Sequence, residues 1–389
     1  MNNPYKSLFL LDQKLIHLNH GSFGACPKPI FDSLISWQKK LELNPVKHLA
    51  FDIFKYLENS RYELSKYINC NKEDIVFFPN PSTALNTVIK SLELKPEDEI
   101  LTTNHEYGAL DKTWNFICKK TGAKYIKQNI KLPLKSKKDF INAFSNGLNK
   151  KTKVIFISHI TSPTGLIFPV KEICEIAKEN NIFCIIDGAH VPGHINLDIK
   201  ELDPDIYTGA CHKWMCAPKG TSFLYAKKEI QDFIDPLVIS WGYDNDKPID
   251  LLSDMSSYSK YLNYHQWQGT NDPSSYLTIP DVIKFLTKNN WHKVSDECKK
   301  INIEAREMVN KHLNQDPISS DEFIGQMSSI KIKCKDTFEL QKIFYENYKM
   351  IIPIIEWENS TLLRFSIQAY NTMEDIEKLI FALKKIKYI

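Results

Sequence analysis

The stretch KVIFISHITSPTGLIFPVKEICEIAKENNIFCIIDGA, from Lys153 to Ala189, decides the fold of this chain. It begins and ends with short runs rich in Ile, Val and Phe, which are typical of buried β-strands. Between the runs, four apolar residues recur at the spacing of one helix face: Val170, Ile173, Cys174 and Ala177. Because a strand, a crossover helix and a second strand form a βαβ unit, the stretch predicts a parallel sheet covered by helices.

Similar apolar runs lie on both sides of this stretch, from about Asp74 to Ala226. They read DIVFFP, EILTTN, DIYTGA and TSFLYA, and segments with helical spacing separate several of them. This alternation predicts a large α/β domain with a mainly parallel, doubly wound sheet. After about Trp291 the pattern changes to amphipathic helices around the strand-like SSIKIKC and TLLRFSI, which predicts a smaller α+β domain.

The composition limits the classes of function. The chain has 389 residues, enough for more than one domain, and 50 basic against 47 acidic residues leave a net charge of +3. No basic stretch with interleaved aromatic residues indicates nucleic-acid binding, so a small-molecule partner is favoured. The nine cysteines show no paired CxxC spacing for zinc or redox chemistry, and no run is apolar enough to span a membrane. We therefore predict a soluble cytoplasmic protein with no metal site, no nucleic-acid partner and no membrane segment.

An anion site is predicted behind the first apolar run, because ligands of open α/β sheets bind at the carboxyl ends of strands. Asn80 can cap a helix there, and Pro81 suits the first helical position. The free N–H groups of Ser82 and Thr83 would then point outward and could bind a phosphate. An ordinary helix start is the alternative interpretation.

Two further strand ends carry a carboxylate and a lysine. Asp187 follows IFCII, where a buried carboxylate needs a cationic partner such as a protonated pyridine nitrogen, a metal ion or a basic side chain. Lys213 follows DIYTGA and is flanked by His212 and Trp214, so it can be partly desolvated and nucleophilic, although a solvated lysine is the simpler interpretation. An anion site, a carboxylate and a lysine at successive strand ends match what pyridoxal 5′-phosphate, a phosphorylated pyridine aldehyde, requires.

Longer motifs extend this match over nearly the whole chain. They are LNHGSFGACP from Leu18, SHITSPTGLIFPV from Ser158, DGAH from Asp187, HKWMCAPKG from His212, QGTNDPSSY from Gln268 and LRFSIQAYNTMEDI from Leu363. Together they resemble the isopenicillin N epimerase-like enzymes of the aminotransferase class V family. The resemblance implies the PLP-dependent transferase fold type I, with a large PLP-binding domain over 21–290, a small C-terminal domain over 291–389, and an N-terminal segment, 1–20, that joins the small domain. It also implies a homodimer with shared active sites.

The resemblance assigns a role to each matching residue. It implies that Lys213 is the Schiff-base lysine, that Asp187 pairs with the pyridine nitrogen, and that His190 approaches the ring hydroxyl. It implies the following further contacts: Ser82, Thr83 and His212 with the phosphate, Thr270 with the partner's phosphate, Tyr107 stacked on the ring, Ser162 near the cofactor, and Arg364, His20 and Ser22 with the substrate. Two departures stand out, because Pro81 removes one N–H from the phosphate turn and Ala210 replaces a polar residue. Whether Tyr107 or His105 stacks on the ring stays open.

The implied chemistry begins with removal of the substrate Cα proton by Lys213, followed by epimerisation or C–S lysis. Transamination is the first alternative. A cysteine desulfurase-like activity is disfavoured because Cys334 lies in SSIKIKC, where a buried thiol is expected. A non-catalytic PLP-fold binding protein is a further alternative, although it would have no need for Lys213, Asp187 and Arg364 together.

Overall fold

A computed structural model of the chain describes residues 4–243 and 259–386. The strands within these ranges are β1 (Ile16–His17), β2 (Ile75–Phe78), β3 (Glu99–Thr103), β4 (Lys124–Gln128), β5 (Thr152–Ser158), β6 (Phe183–Asp187), β7 (Ile206–Ala210), β8 (Ser222–Ala226), β9 (Met327–Ile332), β10 (Met350–Ile351), β11 (Ile354–Trp357) and β12 (Ser360–Ser366). The α-helices are α1 (His20–Phe23), α2 (Lys28–Leu43), α3 (Ile53–Tyr67), α4 (Pro81–Ser91), α5 (Gly108–Thr121), α6 (Lys137–Ser145), α7 (Val170–Glu179), α8 (Ile199–Leu202), α9 (Lys260–Gln266), α10 (Ser274–Leu277), α11 (Ile279–Lys288), α12 (Trp291–His312), α13 (Thr337–Tyr348) and α14 (Met373–Lys385).

A seven-stranded sheet forms the centre of the large domain, in the order β2-β8-β7-β6-β5-β3-β4. Its pairs are parallel except for those of β8, which runs antiparallel to both β2 and β7. The residues of β2, β7 and β8 are all buried, as expected for strands with helices on both faces. The predicted α/β fold with a mainly parallel, doubly wound sheet is confirmed.

The helix α7 shows why the sequence forms these elements. Its buried residues are the four that the spacing predicts: Val170, Ile173, Cys174 and Ala177. The helix connects β5 to β6, which pair in parallel from Val154–Phe183 to Ser158–Asp187. Because the register ends at that last pair, Ser158 and Asp187 lie side by side at the carboxyl edge of the sheet.

A second, antiparallel sheet in the order β11-β12-β9 belongs to the C-terminal part of the chain. The N-terminal strand β1 pairs in parallel with β10, and the backbone N–H of Ser366 donates to the carbonyl of Leu18. The N-terminal segment therefore contacts the C-terminal sheets. The three predicted domain bounds stay a prediction, and residues 1–3 and 387–389 lie outside the described ranges. No helix in the described ranges is both long and apolar enough to cross a bilayer.

Candidate active site

A cavity of about 410 Å³ opens at the carboxyl ends of the central strands. We call it the active-site cavity. Eight of the residues predicted to form the site line it: Ser22, Ser82, Tyr107, Ser162, Asp187, His190, His212 and Lys213. They come from α1, α4, the turns after β3, β5, β6 and β7, and the end of β6 itself. The fold thus brings together residues from Ser22 to Lys213.

Lys213 lies in the tight turn between β7 and β8 and is partly buried. Its Nζ is 3.1 Å from Nε2 of His190. Burial lowers the pKa of Lys213 to about 8, the nearby Asp187 charge opposes this shift, and the Arg364 charge adds to it. A lysine with this pKa is neutral in a larger fraction of molecules near neutral pH than an ordinary lysine, and the neutral amine is the nucleophilic form.

Asp187 is the last residue of β6 and is only 4% exposed. Its Oδ1 accepts a hydrogen bond from the N–H of Ala189 at 2.9 Å, and no salt bridge within the described ranges includes it. Burial raises the pKa of Asp187, although the Lys213 charge lowers it in part. A buried carboxylate of this kind is stabilised when a cation binds next to it.

The start of α4 lies at the active-site cavity, where the sequence predicts an anion site. Oδ1 of Asn80 accepts hydrogen bonds from both the N–H of Thr83, at 2.8 Å, and its hydroxyl, at 3.1 Å. Both donors of Thr83 are therefore bonded to the helix cap. Thr83 does not line the active-site cavity, whereas Ser82 does. Pro81 has no N–H to offer. Ser82 lines the cavity and remains available for a phosphate contact, which stays a prediction.

His212 lines the cavity beside Lys213. Its Nδ1 lies 2.9 Å from the carbonyl oxygen of Thr221 and must donate to it, because a carbonyl cannot donate. Burial lowers the pKa of His212 to about 4. A neutral His212 therefore has an unprotonated Nε2 and can donate to a phosphate only after it gains a proton, which a bound dianion favours. Its role as a phosphate ligand stays a prediction.

The structure separates the two aromatic candidates for ring stacking. Tyr107 precedes α5, is 45% exposed and lines the cavity. His105 is fully buried, with Nδ1 at 2.8 Å from Oγ1 of Thr164 and Nε2 at 2.8 Å from the carbonyl oxygen of Ile130. Both nitrogens of His105 are engaged away from the cavity. Tyr107 is thus the ring that can face a ligand.

Arg364, in the middle of β12, lies behind the cavity wall and is 3% exposed. Nη2 donates to Oγ of Ser22 at 2.9 Å, Nη1 donates to the carbonyl oxygen of Ser162, and the buried Nε has no hydrogen-bond partner. No carboxylate within the described ranges forms a salt bridge with it. Burial lowers the pKa of Arg364 to about 10. Because this buried guanidinium has no carboxylate partner within the described ranges, an anionic group that binds at this wall would stabilise it.

Besides Thr83 and Arg364, two further predicted residues do not line the cavity, His20 and Thr270. His20 is fully buried behind Lys213, with Nε2 at 3.0 Å from the Lys213 carbonyl oxygen and Nδ1 at 3.0 Å from the Tyr370 hydroxyl. The predicted substrate contact of His20 is not supported by this arrangement, because both nitrogens are engaged and the ring is sealed from the cavity. Thr270 is exposed and does not line the cavity of its own chain. Its contact with a partner subunit stays a prediction.

The prediction missed a second buried carboxyl group, Glu106. Its Oε2 accepts from the N–H of Ser158 at 2.8 Å and from the Ser158 hydroxyl at 2.6 Å, and Oε1 accepts from Thr103 Oγ1 at 2.6 Å. Burial raises the pKa of Glu106 to about 7. The signal was available, because Glu106 follows the apolar run EILTTN as Asp187 follows IFCII. Through Ser158 it supports the strand end that lies next to Asp187.

The family described as "Aminotransferase class-V" matches residues 26–379. Isopenicillin N epimerase of Amycolatopsis lactamdurans is 28% identical over 97% of this chain and 96% of the relative, and the probable chloroplastic L-cysteine desulfhydrase of Arabidopsis thaliana is 25% identical over 95% and 82%. The apo structure of cysteine desulfurase from Thermococcus onnurineus NA1 covers 99% of this chain and 98% of that one, with a TM-score of 0.82 and 19% identity. The predicted fold and family resemblance are confirmed.

Proposed function

Since the chain belongs to the aminotransferase class-V family, we propose that it is a PLP-dependent enzyme that removes the Cα proton of an amino acid, with epimerisation or C–S lysis as the outcome. One observation carries this proposal. Lys213, with its lowered pKa, lines the same cavity whose wall is backed by the buried Arg364, for which no described carboxylate serves as partner. An amine that can move a proton thus lies near a site that favours a carboxylate.

The residues of the cavity fit pyridoxal 5′-phosphate. Asp187 is a buried carboxylate that would be stabilised by a protonated pyridine nitrogen, Ser82 lies at the start of α4 where a phosphate would bind, and Tyr107 offers an exposed ring. When bound through Lys213, the cofactor supplies an electron sink for the bond that breaks at Cα. We propose that these residues hold it.

The chain's own residues supply binding and proton transfer. Arg364 binds the substrate carboxylate with its planar fork, for which Ser22 and Ser162 hold the guanidinium in place. Once the substrate amine had replaced Lys213 on the cofactor, the freed Nζ would take the Cα proton, and its lowered pKa favours the neutral form that this requires. Asp187 would hold the pyridine nitrogen of a bound cofactor in its protonated form. We assign His190 to the ring hydroxyl because its Nε2 faces Lys213.

The relatives favour both an epimerase and a lyase outcome, because they include isopenicillin N epimerase and L-cysteine desulfhydrases. A desulfurase-like mechanism needs a cysteine that reaches the substrate. None of the nine cysteines, all of them in the described ranges, lines the active-site cavity. Cys334 is partly buried and its thiol donates to the carbonyl of Asp336 at 3.1 Å, outside the cavity. This absence weighs against persulfide chemistry.

We also propose a homodimer in the cytoplasm. Five large apolar side chains are at least 38% exposed within a short segment: Leu237, Val238, Ile239, Trp241 and Tyr243. A patch of this kind is typical of a protein interface, and exposed Thr270 would then be able to contribute to a neighbouring site. The nine free cysteines favour a reducing compartment.

The test is to incubate the purified protein with single L-amino acids and S-alkyl cysteines in deuterated water. Mass spectrometry measures deuterium at Cα, chiral chromatography measures the D-isomer, and keto-acid and thiol assays measure lysis. We expect Cα exchange with at least one amino acid, and its loss in Lys213→Ala. Cofactor binding without exchange for any amino acid would contradict an enzymatic function, and exchange with only keto acid and aminated cofactor as products would assign a transaminase.

A further inference from the structure

Trp214 lies directly behind the histidine that faces Lys213. Its indole Nε1–H donates to Nδ1 of His190 at 3.3 Å, and Nε2 of the same imidazole lies 3.1 Å from Lys213 Nζ. Trp214 has no exposed surface and His190 is 3% exposed. The imidazole therefore connects a buried tryptophan to the lysine amine, and its two nitrogens have different neighbours.

The hydrogen-bond donor next to His190 determines which ring nitrogen carries the imidazole proton. An indole N–H can only donate, so Nδ1 of His190 must accept. Burial, followed by the charges of Lys213, Arg364, His194 and His212, lowers the pKa of His190 well below its usual value. A neutral imidazole carries one proton, and with Nδ1 as acceptor that proton sits on Nε2. Nε2 therefore donates toward Lys213, and the amine accepts.

Neighbouring residues keep the indole in this position. The ring of His194 packs on Trp214 with centroids 4.0 Å apart. The N–H of Gln326 donates to His194 Nε2 at 2.6 Å, so Nδ1 of His194 carries the proton and donates to the carbonyl of His190 at 3.0 Å. Gly193 adopts φ +82, and a Cβ there would lie 2.5 Å from the Trp214 carbonyl oxygen. The His194 ring thus packs on the indole, and the close approach of Gly193 holds the backbone of Trp214.

We propose that Trp214 is a positioning residue that holds His190 in its Nε2–H tautomer, so that His190 presents a donor at the Lys213 end of the cavity. The inference rests on the proposed function for its consequence. A protonated Lys213 would have to donate to Nε2, and a neutral imidazole cannot accept at both nitrogens. Trp214 therefore disfavours the ammonium form beside His190, keeps the amine available to the cofactor aldehyde, and directs a donor at the cofactor's ring oxygen.

Charged and titratable groups near His190 and Lys213 also affect how these two residues titrate. Asp187 at the end of β6 and Arg364 in β12 face Lys213, and His194 and His212 add to the field at His190. Substitutions at position 214 leave all of these groups in the chain, and 3-benzothienylalanine also keeps the bicyclic ring that packs on His194. A change in titration after loss of the indole N–H alone can therefore be assigned to the hydrogen bond with His190.

Two variants remove the donor. Trp214→Phe is the simpler, and site-specific replacement of Trp214 by 3-benzothienylalanine keeps the bicyclic shape while sulfur replaces the N–H. Histidine ¹⁵N NMR of the protein as purified reads the tautomer, with His190 assigned by its absence in His190→Gln. We expect the Nε2–H form in the wild type and a mixture with Nδ1–H in both variants.

A pH titration of the cofactor's visible absorbance reports whether a hydrogen-bond donor faces its ring oxygen. Its midpoint should rise by about one pH unit in either variant, a tenfold change in the proton dissociation constant. In a His190→Gln background the amide supplies its own donor, so loss of the indole N–H should produce no further shift.

An unchanged tautomer and midpoint in the 3-benzothienylalanine protein would overturn the proposal. An equal shift in the His190→Gln background would also overturn it, because the effect would then not pass through His190. A wild-type protein without cofactor absorbance would contradict the proposed function but not the role of Trp214. The NMR experiment would still determine the His190 tautomer in that protein.

Discussion

Replacement of Arg364 by lysine should weaken the amino-acid substrate while leaving the cofactor site intact. The guanidinium already donates to Ser22 and Ser162, and its planar fork can still offer parallel donors to a carboxylate. A lysine ammonium is a single point charge and cannot keep both serine contacts and a two-point carboxylate contact. The loss of one hydrogen bond to a charged group costs about 1.5–3 kcal/mol. We therefore expect kcat/KM to fall roughly 10- to 150-fold.

The assay compares an amino acid with the amine that lacks its carboxylate. The loss in kcat/KM should appear with the amino acid and be small with the amine, and the visible absorbance of the cofactor should not change. Arg306→Lys is the matched control. Arg306 is also 3% exposed, but it already pairs with Asp321 and donates to the carbonyl of Ser319 at 2.9 Å. It should lower the melting temperature without changing kcat/KM.

Two results would refute this reasoning. An equal loss with the amine would mean that Arg364 does not bind the carboxylate and acts only through Ser22 and Ser162. An unchanged kcat/KM combined with a lower melting temperature would place Arg364 in the same structural role as Arg306, and the carboxylate site would have to be sought elsewhere in the cavity.

Four further predictions concern the cofactor site and stability. Borohydride should fix the cofactor on Lys213 by mass spectrometry, and Lys219, six residues further on, should carry none; an adduct on Lys219 would contradict the assignment. Asp187→Asn should retain the cofactor but lose roughly 100-fold or more in kcat, because an amide cannot keep the pyridine nitrogen protonated; activity close to wild type would show that the ring nitrogen is not used. Burial lowers the pKa of His105 from 6.5 to about 4, so below pH 6.5 the unfolded chain binds a proton that the native state does not. The free energy of unfolding in urea should therefore fall between pH 6.5 and pH 4, and it should fall less steeply in His105→Gln. Equal pH dependence of the two proteins would exclude His105 as a cause. Gly24→Ala should lower the melting temperature by the equivalent of about 2 kcal/mol or more, because φ is +68 and the new Cβ would lie 2.0 Å from the His212 carbonyl oxygen; an unchanged melting temperature would contradict this close approach.

Much of the fold could be predicted from sequence because buried parallel strands are apolar throughout and their helices bury one face. The runs ending at Ser158 and Asp187 and the buried face of α7 appear where the pattern places them. The place of the active-site cavity also follows, since polar residues at strand ends meet at one edge of the sheet.

The parts that could not be predicted depend on where single hydrogen bonds go. Thr83 donates to the cap residue Asn80, and His20 is held between Lys213 and Tyr370. Residue types and spacing give the same signal whether such a side chain faces a ligand or its own backbone. The tautomer of His190 is likewise readable only once Trp214 is known to lie behind it.

The hydrogen bond between Arg364 and Ser22 joins residues 342 positions apart. By contrast, the residues assigned to the cofactor in the same subunit all lie between Ser82 and Lys213. A ribosome synthesises these residues before Arg364. All of the cofactor residues of one subunit can therefore be translated before the small domain is. The arginine reaches Ser22 only after more than nine-tenths of the chain has been translated. We therefore expect the amino-acid site to be completed after the cofactor site of the same subunit.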